Sequence, residues 1–89
     1  MALFLVLTRR KPAFREEVLP EHHRFLRELA RQRILELSGP FGDGTGGAYL
    51  LRATDPLEAQ AVADRDPLAT SGASELVVRE WLAHPPGEL

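Results

Sequence analysis

Cysteine is absent from this 89-residue chain. A disulfide framework, a thiolate zinc site and a cysteine nucleophile are therefore excluded. Lysine is almost absent as well: Lys11 stands alone, and every other cationic side chain is an arginine. The net charge is −2 and the pI about 5.9, which argues against a nucleic-acid binder, since these usually show a basic stripe. No apolar run approaches the roughly 20 residues that span a bilayer. The apolar opening, Met1 to Leu7, is too short for a signal-peptide core, and Arg9, Arg10 and Lys11 follow it. The expectation is a cytoplasmic protein that binds neither nucleic acid nor membrane.

What is present has the balance of a soluble globular protein, 44% hydrophobic and 27% charged. The length predicts one domain over residues 1–89. A domain of this size buries only about two-thirds of its unfolded surface. Nothing staples it covalently, so association with a second copy is expected to supply part of its stability.

Ala2-Leu3-Phe4-Leu5-Val6-Leu7 reads as a strand buried on both faces, with Leu3, Leu5 and Leu7 on one side and Phe4 and Val6 on the other. Thr8 to Val18 reads as a charged connection. Pro20 suits the first turn of a helix, and Glu21 to Arg33 has helical periodicity, with Phe25, Leu26, Leu29 and Ala30 on one face. Ile34-Leu35-Glu36-Leu37 predicts a second strand ended by Gly39-Pro40, because proline cannot donate to a ladder. Ala48 to Arg52 predicts a third strand, joined to the second by the glycine-rich loop Phe41 to Gly47.

A second helix starts with Asp55 as cap, Pro56 in the first turn and Glu58 three residues after the cap. It runs to about Asp64, presents Ala59, Val62 and Ala63 to the core, and is terminated by Pro67. Ser74 to Ala83 predicts the last strand. The order βαββαβ is that of an α+β, ferredoxin-like fold: an antiparallel four-stranded sheet with two helices on one face. The other face then lies bare although the first strand is apolar on both sides. An exposed apolar patch of roughly several hundred Å² is unusual on a monomer. A homodimer with its two open sheet faces packed together resolves the conflict.

His22 shares a helical stripe with Phe25, Leu26 and Leu29, which turns its imidazole toward the sheet at the helix's first turn. A half-buried imidazole there suits general acid or base work; the structural alternative is a core-edge histidine bonded to backbone. His23 lies about 100° further round and faces solvent. Asp66, before Pro67, either caps the next turn or fixes the tautomer of His22, and spacing alone leaves both open.

Gly42, Gly44 and Gly47 spell G-x-G-x-x-G, but a strand follows where dinucleotide binding needs a helix. A hairpin loop bordering a pocket is the better reading. Within Arg9-Arg10-Lys11, either a solvated turn forms or one arginine, with Arg9 as the candidate, binds a substrate carboxylate. His22, His23, Asp64 and Asp66 could in principle bind a metal, but helix neighbours diverge and His22 and His23 do not easily share one ion, so no metal is expected. Tyr49 and Trp81 read as core or interface.

Leu19-Pro20-Glu21-His22 opens a helix, Leu37-Ser38-Gly39-Pro40 follows it, and Ala63-Asp64-Arg65-Asp66-Pro67-Leu68 comes after the helix that starts Asp55-Pro56-Leu57-Glu58-Ala59. In order and spacing these segments resemble the YciI-like proteins (YCII-related domain) over nearly the whole chain. The resemblance implies a dimeric α+β barrel, as in muconolactone isomerase and its relatives. It also implies an active site built around a histidine and an aspartate, falling here on His22 and Asp66, with Gly39 and Pro40 shaping the pocket. No cofactor is implied. Related activities concern small ring-derived or halogenated organic acids, but the Thr8 to Val18 and Phe41 to Gly47 segments are this chain's own, so a substrate does not carry over.

The expected function is therefore proton transfer by His22, oriented by Asp66, on a small organic acid or lactone, in an isomerase, lyase or hydrolase type of reaction. The competing reading is a non-catalytic module that binds a small ligand or a partner protein on the same scaffold, since fold alone does not settle function.

Overall fold

A computed structural model describes all residues from Met1 to Leu89. Its first strand, β1 (Ala2–Arg10), lies inside a four-stranded antiparallel sheet ordered β2-β3-β1-β4. The others are β2 (Leu35–Pro40), β3 (Gly46–Ala53) and β4 (Ser74–Glu80). Helices α1 (Leu19–Arg31) and α2 (Pro56–Asp64) connect β1 to β2 and β3 to β4, and a four-residue helix α3 (Pro67–Thr70) leads into β4. This is the α+β, ferredoxin-like arrangement that the element order predicts.

Side-chain alternation builds the two faces of the sheet. On one face Phe4 and Val6 of β1 and Leu51 of β3 are fully buried, and Tyr49 and Ala53 nearly so. They form one core with Leu26 and Leu29 of α1 and Ala59, Val62 and Ala63 of α2, so both helices cover the same face. Burial of each large side chain there contributes about 1.5–3 kcal/mol. On the other face Leu3, Leu5, Leu7 and Ala48 are half-buried, Leu37 and Val77 are exposed, and no helix covers them. Ion pairs flank this face: Arg9 with Glu75 at 2.9 Å, and Arg52 with Glu36.

Several boundaries differ from the sequence expectation, each for a local reason. β1 continues past Leu7 through Thr8, Arg9 and Arg10, because β3 and β4 flank it there: Thr8 pairs with Gly47 and Leu76, and Arg9 with Gly46 and Glu75. Gly46 and Gly47 belong to β3, where only glycine fits. A Cβ at Gly46 would lie 1.9 Å from the Thr8 carbonyl oxygen, and one at Gly47 would lie 2.5 Å from that of Gly39. β2 runs on through Ser38 and Gly39 to Pro40 rather than stopping short. It is an edge strand, where a residue without N–H is tolerated.

α1 ends at Arg31, two residues early, where Arg33 turns the chain with φ of 62°. Ala30 is exposed rather than on the buried face. Pro67 does not simply stop α2; it opens α3, as Pro56 opens α2. β4 ends at Glu80, leaving Trp81 half-exposed. The cap of α2 matches expectation: Asp55 accepts from the Glu58 N–H at 2.8 Å, while Glu58 reaches back to the Thr54 N–H at 3.1 Å.

Candidate functional site

The core does not fill the covered face evenly. Along β1 the helix-facing series runs Phe4, Val6, Thr8, Arg10, from apolar to polar. Where it turns polar, the paired strands β1 and β3 and the first turn of α1 border a pocket of about 370 Å³. Thr8, Arg10, His22, Gly39, Tyr49 and Ser74 are among its lining residues, with Leu19, Leu26 and Leu68 as apolar wall.

His22 sits in the first turn of α1, one turn before Leu26, and this places its ring over the sheet with 9% of the residue exposed. Its Nδ1 lies 2.8 Å from Oδ1 of Asp66, which is fully buried. A carboxylate oxygen only accepts, so Nδ1 is the donor of this bond, and in the neutral imidazole Nε2 then presents its lone pair. Nε2 makes no hydrogen bond within the protein, and His22 lines the pocket. It is free to meet a ligand.

Asp66 is held by three donors. The Leu68 N–H donates to Oδ1 at 2.8 Å as the cap of α3, and the Tyr49 hydroxyl donates to Oδ2 at 2.8 Å. The two sequence readings of Asp66, as cap and as partner of His22, hold together: one carboxylate does both. Burial, and next the adjacent Asp66 carboxylate, push the Tyr49 phenol far above its ordinary range, so it remains a donor. Tyr49 is the member of this constellation that sequence reasoning missed, having read it as core or interface. Its alternation with Leu51 and Ala53 was visible, but the position of its hydroxyl depends on which face the helices cover.

Of the other expected site residues, Gly39 and Pro40 line the pocket from the end of β2. Arg9 does not. Strand alternation sends it to the open face with Leu3, Leu5 and Leu7, where it pairs with Glu75. Arg10 is the arginine at the pocket, its guanidinium 4.1 Å from the ring centroid of Phe14. The signal for this was present, since continuing the Phe4–Val6 series by two steps reaches Arg10. His23 is exposed, as expected, but its ring stands 5.7 Å from that of His22 and also borders the pocket. No group of three or more histidine, cysteine, aspartate or glutamate side chains is disposed to hold a metal ion. No helix is long and apolar enough to cross a membrane.

Comparison with known proteins agrees with this architecture. The chain is similar to the uncharacterized protein YjpA of Bacillus subtilis (strain 168), 42% identical over 81 residues that cover 91% of this chain and 95% of that one. It also superposes on 5-chloro-2-hydroxyhydroquinone dehydrochlorinase (TftG) from Burkholderia phenoliruptrix AC1100, solved in complex with 2,5-dihydroxybenzoquinone. The TM-score is 0.77 at 21% identity, covering 92% of this chain and 95% of that one, which is a likeness of fold. The family model of the YCII-related domain matches residues 2–82, and with that span and the identity to YjpA the chain belongs to the YCII-related domain family.

Proposed function

We propose that this chain is a single-domain, cytoplasmic, homodimeric enzyme in which His22 acts as general base and then general acid on a small organic acid or lactone, without a cofactor. The observation that carries the reading is the buried hydrogen bond from His22 Nδ1 to Asp66, which leaves Nε2 unpaired beside a pocket. In such a step Nε2 takes a proton from a carbon or oxygen of the substrate. Asp66 stabilises the resulting imidazolium, and the proton then passes to another atom of the substrate in an isomerisation, to a basic leaving group in a hydrolysis whose first proton comes from water, or to solvent where the leaving group departs as chloride. Isomerisation, elimination and hydrolysis all fit that sequence. The name of the fold relative, a dehydrochlorinase, supports the elimination class: loss of hydrogen chloride needs a base at the departing proton. Gly39 and Pro40 would bound the substrate on the β2 side.

The homodimer is supported by the sheet face that neither helix covers, where Leu3, Leu5, Leu7, Leu37 and Val77 are half-buried or exposed and the Arg9–Glu75 and Arg52–Glu36 pairs form a polar margin. A second copy presents the same surface and would bury it symmetrically. Sedimentation should give twice the 9.9 kDa chain mass, and Leu7→Lys, between Ala48 and Val77 in the sheet, should return it to one chain.

The test of the chemistry is a turnover screen over lactones and halogenated organic acids, comparing the wild type with His22→Ala and Asp66→Asn. Loss of a general acid–base group is expected to slow turnover by about 10²–10⁴-fold. Unchanged turnover in His22→Ala removes His22 from the mechanism. Saturable binding of such acids with no turnover of any of them favours a ligand-binding module instead.

A further inference from the structure

We infer that the pocket selects a small organic anion and that Arg10 and Ser74, side by side on its sheet wall, form the subsite for the negative group. This deepens the reading above and rests on it for the choice of pocket. The charge inventory is the first support. The chain as a whole is acidic, with net charge −2. Yet no aspartate or glutamate lines the pocket, and Arg10, His22 and His23 do. Asp66 lies behind His22, fully buried and turned toward its three donors.

Arg10 is set apart from the other arginines by its place at the pocket and its stacking, and no carboxylate competes for it. Arg9 is bound by Glu75, Arg31 by Glu28 and Arg52 by Glu36. Arg10 has no carboxylate partner; its guanidinium is stacked on Phe14 at 4.1 Å. Stacking fixes the plane of the guanidinium and leaves its N–H donors free at the edge, the arrangement that receives a planar carboxylate or an acidic enolate.

Ser74 is the independent observation. Its Oγ is the one buried side-chain polar atom in the chain with no hydrogen-bond partner, and the residue lines the same pocket. The strand register sets it directly opposite Arg10, so their Cβ atoms are about 4.5–5.5 Å apart. A hydroxyl and a guanidinium at that separation can donate to one anionic group. The remaining wall is largely apolar, and the volume of about 370 Å³ lies at the small end of ligand sites. A single small ring or short chain bearing one acidic group fits this description, with the acid on Arg10 and Ser74 and the reacting atom toward His22.

The test uses two probes of the same shape and different charge, benzoate and benzamide, titrated into the full chain by calorimetry. The wild type is expected to bind benzoate at least tenfold more tightly. Arg10→Gln should abolish that preference, while Arg9→Gln, altered on the opposite face, should keep it. Ser74→Ala should weaken benzoate binding severalfold while leaving the melting temperature unchanged or higher, because it removes a hydroxyl that the ligand-free fold leaves unpaired. Equal binding of the two probes, absence of saturable benzoate binding, or a preference that survives Arg10→Gln each overturns the inference. None of these readouts needs turnover, so an inert result in the lactone and halogenated-acid screen would strike the proton-transfer reading alone.

Discussion

The covered face of the sheet has two ends built by the same rule and filled with opposite chemistry. At the closed end Phe4, Val6, Leu51 and Ala53 meet Leu29, Ala59 and Val62, all buried and all apolar. At the pocket end Thr8, Arg10, Tyr49 and Ser74 occupy the equivalent alternation positions and meet His22 and, behind it, Asp66. The helices follow the same gradient, α1 entering over the pocket at His22 and leaving over the core at Leu29. A single run of period-two and helical-period residues thus specifies core and site together. What separates them is only where along each element the apolar side chains stop.

Breaking either end should be expensive, for different reasons. Phe4→Ala removes a fully buried ring and is expected to cost about 3–5 kcal/mol as transfer plus cavity energy. Asp66→Ala strands three donors, from His22, Tyr49 and Leu68, and is expected to cost about the same. Urea midpoints measure both. The imidazole nitrogen shifts of His22 tell them apart. Phe4→Ala should keep the Nδ1–H tautomer, and Asp66→Ala, or the isosteric Asp66→Asn if the alanine variant does not fold, should lose it. A tautomer that persists without Asp66 would mean the carboxylate does not organise the pocket end.

Tyr49 joins the two ends, with its ring in the core cluster and its hydroxyl on Asp66. Tyr49→Phe leaves one buried carboxylate oxygen without its donor, an expected loss of about 1–3 kcal/mol near neutral pH. It should also change the alkaline behaviour. Burial and the Asp66 charge raise the folded phenol above its unfolded value of about 10. Below that pH the tyrosine's contribution is fully present. Above it the unfolded chain releases a proton that the folded chain retains, so stability falls by about 1.4 kcal/mol per pH unit. Tyr49 is the only tyrosine, so denaturation of the phenylalanine variant between pH 10 and 11 should lack that component.

Legibility from sequence divides along the same line. The closed end is readable because it rests on apolar periodicity: the order of elements, the Leu26–Leu29 stripe and the Ala59–Val62–Ala63 face all follow from it. The pocket end is readable only where the stripe of α1 reaches His22 or a local motif marks it. Asp55-Pro56 announces α2, and the identical pair Asp66-Pro67 announces α3. The second pair reads in sequence as a stop, because no apolar run long enough for a helix follows it. The apolar run of β1 ends at Leu7, and the polar residues after it resemble a loop. The alternation that assigns Arg10 to the pocket and Arg9 to the open face lies in those polar residues. The meeting of His22 with Asp66 and Tyr49 is a long-range packing fact, carried by no spacing in the chain.

The smallest expected effect lies at the closed end and runs in the stabilising direction. Arg33 turns the chain out of α1 with φ of 62°, while its N–H reaches the Ala30 carbonyl at 3.0 Å and that of Ile34 reaches Leu29 at 2.9 Å. A left-handed conformation costs a residue with a Cβ roughly 1–2 kcal/mol, and glycine adopts it freely. The Arg33 side chain is exposed and forms no ion pair, so little is lost with it. Glycine's larger unfolded-state entropy offsets part of the gain, and Arg33→Gly should stabilise by about 0.5–1 kcal/mol. In a domain of this size that raises the melting temperature by about 2–8 °C. His22 lies about three helical turns away, at the other end of α1, so benzoate affinity should stay within twofold of wild type. A stabilised closed end that also shifted ligand affinity would show that the two ends of the covered face are coupled through α1 rather than independently built.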